Sequence, residues 1–303
     1  VISIVIATKD RALFLQRALE SLALQRAAPE FEVVVADNGS TDGTPSVVAD
    51  AAHIVPYELR HIEAGRANRG LARNMGVAAA AGELILFVDD DVWLPSNFVA
   101  AHVAAHSGAR TSRVVTGPIV NVPDYDQRPR PGAANYSSAF FCTCNASVSK
   151  AVLEAVGGFD EAFRLYGWED TELGLRLRNA GLEHSFAWDA FLYHIKPPEP
   201  LELAIRRTVE KATTAAQFVQ KSPTFRTRLA TGAYPLNLAR AKLVAPFLPL
   251  FAGVASSDVL PKSVVAFARN RLLDGLYVQR LHEEMKLKGP LGESKNNQND
   301  EGP

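Results

Sequence analysis

The segment Leu84–Leu94 reads LILFVDDDVWL. Apolar residues from Leu84 to Val88 run directly into Asp89, Asp90 and Asp91, and the chain then turns apolar again. A short apolar run bounded by polar residues is the pattern of a buried strand. Adjacent carboxylates at the end of such a strand repel one another, so cations must offset them. All-oxygen ligation favours Mg2+ or Mn2+ over zinc, and Mg2+ typically takes one or two protein carboxylates plus substrate phosphates. The triplet therefore predicts a divalent ion carrying a phosphorylated ligand. A solvated acidic turn is the bland alternative, and the neighbouring segments decide against it.

Those segments alternate between strand and helix signals. VISIVIAT (1–8) is a β-branched apolar run, and Leu15, Leu19 and Leu22 follow at helical spacing. FEVVVADNGS (31–40) is a second strand ending in a turn cluster, TPSVVADAA (44–52) a helix and PYELRHIEA (56–64) a third strand. NRGLARNMGVAAAAG (68–82) is a helix with Asn68 as its N-cap. Repeated strand–helix units predict a parallel sheet with helices on both faces, whose ligands bind beyond the carboxyl ends of the strands. Thr8, Asp10, Asp37, Asn38, Asp42 and the aspartate triplet all follow strands, so they should share one edge of one sheet. Farther on, RVVTGPIVNV (113–122) reads as a strand, Asp124–Ser138 as a loop rich in proline and glycine, and residues 200–286 as mostly helical.

The chain has 303 residues, 47% of them hydrophobic, enough for a substantial core. Lys+Arg at 32 nearly balances Asp+Glu at 33, which gives no footprint for a nucleic-acid partner. Cys142 and Cys144, in FFCTCNAS, make half a zinc site at best and read as small buried apolar residues. Low cysteine usage and no visible leader point to a cytoplasmic protein, in which the sequons at Asn135 and Asn145 stay silent. His102 and His106, four apart on a helix, have no glutamate between them as a metalloprotease would, and read as surface residues.

Two families compete for the aspartates. ILFVDDDV fits the D-x-D-x-V nucleophile motif of haloacid-dehalogenase-like phosphatases, but that motif belongs on the first strand of its fold. The ordered set SIVIATKDR, VVVADNGSTDGT, NRGLARNMGVAAAAGELILFVDDDV, GGFDEAF and GWEDTELGLRLRNAG instead resembles the inverting family 2 glycosyltransferases of the GT-A fold, over roughly residues 1–195. The resemblance implies an α/β fold with a mixed, mainly parallel sheet flanked by helices, in a catalytic domain over 1–199 (a nucleotide-binding half to 113, an acceptor half from 114). Beyond it the residues themselves read as a helical C-terminal extension over 200–287 and a flexible polar tail over 288–303.

The same resemblance implies roles. Thr8, Asp10 and Asp37 hold the base of a nucleoside-diphosphate sugar, a UDP-sugar foremost. Asn68 and Gly70 shape the helix start, where Arg73 meets the diphosphate. Asp89 and Asp90 complete the donor contacts. Asp91, Asp89 and His194, the last in FLYHIKPP, hold Mn2+ or Mg2+. Asp170, with Glu169 beside it at a helix start, is the general base. Trp168 and Asn145 are the acceptor-side candidates, Trp168 as an aromatic that can stack on a sugar. The acceptor is then a glycan, lipid-linked or small-molecule hydroxyl. A contrasting reading is an inactive nucleotide-sugar-binding or partner-binding protein on the same scaffold. The stretch around residues 236–262 is too short and proline-broken to read as a membrane span. It either packs as helices or makes a peripheral membrane contact, and the last amphipathic helix offers a homo-oligomer interface.

Overall fold

A computed structural model describes residues 1–65, 67–108, 112–132 and 134–287; the tail read as flexible lies outside the described residues. The first part alternates β1 (Ile2–Thr8), α1 (Ala12–Ala23), β2 (Phe31–Asp37), α2 (Thr44–Ala51), β3 (Glu58–Glu63), α3 (Arg69–Ala79) and β4 (Leu84–Val88). Next come β5 (Val92–Trp93), α4 (Phe98–His106), β6 (Arg113–Thr116), β7 (Ile119–Val122), β8 (Asn145–Ser149), α5 (Lys150–Ala155), α6 (Glu169–Asn179), β9 (Glu183–Phe186) and β10 (Leu192–Ile195).

One sheet has the order β3-β2-β1-β4-β8-β6-β9 and a small second one the order β5-β10-β7. β1 to β4 are parallel, whereas β8 runs antiparallel between β4 and β6. The alternation along each strand feeds two cores. Ile4, Ile6, Val33, Val35 and Leu86 pack with Leu15, Leu19 and Leu22 of α1 on one face. Val5, Val34, Ile85 and Phe87 pack with Leu153, Leu173 and Leu177 of α5 and α6 on the other. Each such fully buried side chain is worth about 1.5–3 kcal/mol.

RVVTGPIVNV is two strands in two sheets, not one. The break is at Gly117, where an added Cβ would lie 1.9 Å from the Ala190 carbonyl oxygen. Pro118 follows without an amide to donate, and the chain leaves the large sheet for the small one. His102 and His106 also differ from their reading. His102 is fully buried; its ring nitrogens meet Ser147 Oγ at 2.9 Å and Asn145 Oδ1 at 2.8 Å, and His106 Nε2 meets the same hydroxyl at 2.8 Å. Burial holds His102 neutral, down to about 3, and His106 down to about 4.

Val1–Arg164 with Trp168–Glu199 form one compact unit; Leu165–Gly167 with the described residues from Pro200 to Leu287 form a second. The second unit contains α7 (Leu201–Lys221), α8 (Phe225–Thr231), α9 (Pro235–Val244), α10 (Leu248–Ala255) and α11 (Lys262–Leu287). Gly275 lets α11 approach closely, since a Cβ there would meet Leu248 Cδ2 at 2.5 Å. Arg240 donates to both Asp274 carboxylate oxygens at 2.9 Å. By length and composition Phe225–Ala255 reaches what a membrane span needs, further than its sequence reading went, with a mean hydropathy of 1.5 and 17% burial over its most apolar window. It is folded as separate helices, α8 ending at Gly232 in the left-handed region.

Candidate active site

The parallel register aligns the strand ends. Thr8 pairs with Asp37 across β1 and β2, and Ile6 with Val88 across β1 and β4, so the residues after β4 stand level with the end of β1. Thr8 Oγ1 accordingly donates to Asp90 Oδ2 at 2.7 Å. The turn after β2 is knitted to the turn after β1: Thr41 N donates to Asp10 Oδ1 at 2.7 Å and Asp10 N to Ser40 Oγ at 2.9 Å. Asp10 is exposed and holds a positive φ of 52°. Asp37 is buried, accepts from Ser40 N at 2.7 Å and faces His61 Nε2 at 3.4 Å.

α3 begins as its sequence predicts, with Asn68 Oδ1 accepting from Leu71 N at 3.1 Å. Gly70 is buried in the first turn of α3, where an added Cβ would sit in ordinary contact with Phe159 Cβ at 3.4 Å and the Asp160 carbonyl at 3.5 Å. One turn on, buried Arg73 reaches both carboxylate groups of the site. Its Nη2 lies 3.5 Å from Asp89 Oδ1 and its Nη1 donates to Glu169 Oε1 at 3.0 Å. Burial opposes the Arg73 charge, and Glu169, Asp89 and Asp170 together raise its pKa regardless.

Cations balance the aspartates unevenly. Arg11, to which sequence reasoning gave no role, sits with Nη1 3.1 Å from Asp91 Oδ2 and Nε 3.8 Å from Asp90 Oδ1. Its signal was present: it shares a turn with Asp10, opposite three carboxylates. His194 Nε2 lies 3.1 Å from Asp91 Oδ1, and its Nδ1 is 3.1 Å from Asn121 Oδ1. The imidazole thus bridges Asn121 and Asp91, each ring nitrogen facing an oxygen. Burial pushes Asp91 up, but His194 and Arg11 outweigh it and hold the carboxyl below its ordinary range. Asp90 is pushed up to about 7 by burial and by Asp91 beside it.

Trp168 introduces α6 with a left-handed φ of 70°, a conformation that costs about 1–3 kcal/mol and clusters at functional sites. Glu169 is buried, and its Oε2 has no hydrogen-bond partner among the described residues. Asp170 is half-buried, accepting from Thr171 N at 2.6 Å. Burial and the neighbouring Glu169 push its carboxyl up to about 6, against the pull of Arg73. Asn145 departs from its acceptor-side reading. It is fully buried, and its amide is spent on His102, the Ala190 carbonyl at 2.9 Å and the Pro118 carbonyl at 3.4 Å. It ties the strand ends together and offers nothing to an acceptor.

The donor atoms of Asp89, Cys144 and His194 all lie within 4.8 Å of one another, with Asp91 against His194. Oxygen and imidazole donors at this spacing fit a divalent metal ion. Asp89 stands after the fourth strand, not the first, which leaves the phosphatase reading without its first-strand aspartate.

Comparison with known proteins agrees with this geometry. Residues 3–157 match the family described as glycosyl transferase family 2, and residues 131–197 match one described as the N-terminal domain of galactosyltransferase. A validoxylamine A glucosyltransferase of Streptomyces hygroscopicus subsp. limoneus is 32% identical over 60% of this chain and 48% of its own. The Escherichia coli chondroitin synthase is 26% identical over 82% of this chain and 42% of its own. The chain thus spans about half the length of the curated relatives it matches. A Pyrobaculum calidifontis mannosyltransferase solved with GDP-Man and Mn2+ shares the fold at a TM-score of 0.64 and 19% identity, covering 93% of this chain and 86% of its own. Staphylococcus aureus TarS 1-349 with UDP-GlcNAc does so at 0.56 and 20%, covering 93% and 91%.

Proposed function

The chain belongs to glycosyl transferase family 2, and from that premise we propose that it transfers a sugar from a nucleoside diphosphate, UDP foremost, to a hydroxyl of a glycan, lipid-linked or small-molecule acceptor. The reaction is metal-dependent and inverts the anomeric centre. The observation that carries this reading is Arg73, which touches both Asp89 and Glu169 and so joins the aspartate triplet to the Glu169–Asp170 pair in one site.

Each residue then has a task. The turns bearing Asp10 and Asp37 hold the base, a carboxylate being a suitable acceptor for an imide N–H. Asp91, Asp89 and His194 hold Mn2+ or Mg2+, which when bound supplies Lewis-acid stabilisation of the leaving diphosphate. Asp170 takes the proton of the acceptor hydroxyl as its oxygen attacks C1 from the face opposite the diphosphate. A carboxyl near 6 is ionised at neutral pH and more basic than an ordinary aspartate, which suits that role. Trp168, partly exposed beside it, offers a face for the acceptor sugar.

The test is a donor panel of nucleotide sugars with Mn2+ or Mg2+, read by thermal shift and then by NMR of the product's anomeric proton. Inverted product from a metal-dependent donor is expected. Donor binding without hydrolysis or transfer to any acceptor class would favour the inactive scaffold. Retention of configuration would overturn the single-displacement mechanism.

A specific feature of the second unit favours a peripheral membrane site of action, at the cytoplasmic face. Phe225, Leu229, Leu236, Leu243, Phe247 and Leu250 are all more than half exposed. Between residues 211 and 257 the chain carries lysines and arginines and no aspartate or glutamate. Exposed apolar side chains interspersed with bases match an anionic lipid surface.

A further inference from the structure

Read from sequence, Cys144 is a small apolar residue, and it is indeed almost fully buried. The sheet gives it a second property. β4 and β8 pair antiparallel with Val88 opposite Asn145, so the next step of the register sets Asp89 opposite Cys144. β10 lays His194 against Val92 of β5, just past the triplet. Three strand ends thereby bring one carboxylate oxygen, one imidazole nitrogen and one sulfur within 4.8 Å of each other. Two carboxylates and a histidine would make a pocket for a hard ion. A thiol among them changes its preference, because sulfur donors select zinc and similarly thiophilic ions, while carboxylate and water suit Mg2+ and Mn2+.

We propose that Cys144 is a thiolate donor to the metal pocket, which therefore takes Zn2+ in preference to Mn2+ or Mg2+ through Asp89, Cys144 and His194. Coordination exchanges the S–H bond for a sulfur–metal bond, and the thiol proton passes to solvent; nothing is oxidised or reduced. Protein ligands in this number leave a tetrahedral ion one open position, against the several that a hexacoordinate Mg2+ offers to phosphates and water. Zinc then holds the pocket in a state that binds the diphosphate poorly, so the same residues make the enzyme sensitive to zinc. The inference rests on the metal reading of this pocket, and its test separates the two.

Co2+ serves as the probe, because a thiolate ligand gives bound cobalt a near-ultraviolet charge-transfer band that oxygen and nitrogen ligands do not. The purified full chain is titrated with Co2+, and with Mn2+ by equilibrium dialysis. Expected are the charge-transfer band in the wild type and in Cys142→Ser, its loss in Cys144→Ser, and displacement of Mn2+ by Zn2+ with about ten-fold or greater preference that shrinks in Cys144→Ser. Cobalt that binds without the band, or a band that survives Cys144→Ser, overturns the thiolate assignment and leaves the metal pocket standing. No uptake of Mn2+ or Co2+ overturns both. Should Cys144→Ser fail to fold, the band in Cys142→Ser decides, since Cys144 is then the chain's remaining cysteine.

Discussion

Asp90 and Asp91 are neighbours in sequence with opposite electrostatics. Asp91 is held below its ordinary range by His194 and Arg11, so its ionised form stabilises the fold at neutral pH. Asp91→Ala should therefore abolish Mn2+-dependent UDP binding and also lower the melting temperature of the metal-free protein. Mn2+-dependent UDP affinity unchanged in that variant would sink the assignment of Asp91 as a ligand. Asp90 is the reverse case: its carboxyl is raised to about 7, so the metal-free protein loses stability as pH climbs from about 4 through 7. Asp90→Asn, which still accepts from Thr8, should stabilise the metal-free protein by about 1–3 kcal/mol at pH 8 and by little at pH 4, measured by urea titration. Asp170→Asn should keep donor affinity and lose roughly two to four orders of magnitude in transfer rate. Because Asp170 must be ionised to act, wild-type kcat/KM should rise with pH through about 6. If Glu169→Gln is instead the variant that keeps its Arg73 contact yet loses turnover, the base is misassigned within the pair. The carboxylates and Arg73 were legible in the sequence because strand-end positions and a helix start announce them. Cys144 was not, because a role set by what lies across a sheet depends on register, and one sequence does not display it; Arg11 was legible by its place in the turn that bears Asp10.

At the scale of elements, legibility followed length. β1, β2 and β4 with their helices are runs of five or more residues with clear periodicity, and they stand where the pattern put them. β5 has two residues, β10 four, and β8 is a polar-sounding NASVS, too short or too mixed to register as strands. These pieces nevertheless carry Asn145 and His194, and β8 follows directly on Cys144. The loop from Asp124 to Ser138, rich in proline and glycine, joins β7 to β8 in chain order, and Ala133 within it lies outside the described residues. Its ends are fastened: Ile119 and Ser137 exchange backbone hydrogen bonds, and Tyr193 Oη donates to the Arg128 carbonyl at 3.1 Å while Arg128 lies 4.2 Å over the Trp93 ring. The span between carries mostly exposed residues. A segment fastened at both ends can close over a donor as a unit, excluding water until an acceptor hydroxyl arrives. Hydrogen exchange should therefore slow across 129–136 when UDP and Mn2+ are added, with 119–122 unchanged. Equal protection in both states would rule the lid out and leave a static surface loop.

For the whole molecule, the second unit raises a question that the catalytic geometry does not answer. Residues such as Leu236, at 80% exposure, and Leu243, at 72%, leave large apolar side chains in water, and a partner surface would cover them. The apolar stretch is legible in the sequence but its exposure is not, since an apolar helix reads alike whether it faces a core or a bilayer. Two occupants compete, a second copy of the chain and a lipid surface, and charge separates them. A copy would bring the same bases face to face, whereas an anionic bilayer attracts them at about 1 kcal/mol per residue near the surface. Arg240 is engaged with Asp274, so Arg226, Arg228 and Lys242 are the bases best placed to contribute. Each inserted leucine or phenylalanine adds up to about 1.5–3 kcal/mol if fully withdrawn from water. The protein should consequently sediment with vesicles containing phosphatidylserine and much less with neutral vesicles, and binding should weaken as salt is raised. Leu236→Glu with Leu243→Glu should cut that binding by about ten-fold or more while leaving the melting temperature nearly unchanged, because neither side chain is buried in the fold. If vesicles of both kinds leave the protein in solution, and the double variant instead converts a dimer to a monomer in analytical ultracentrifugation, the surface is a subunit interface and the membrane reading fails.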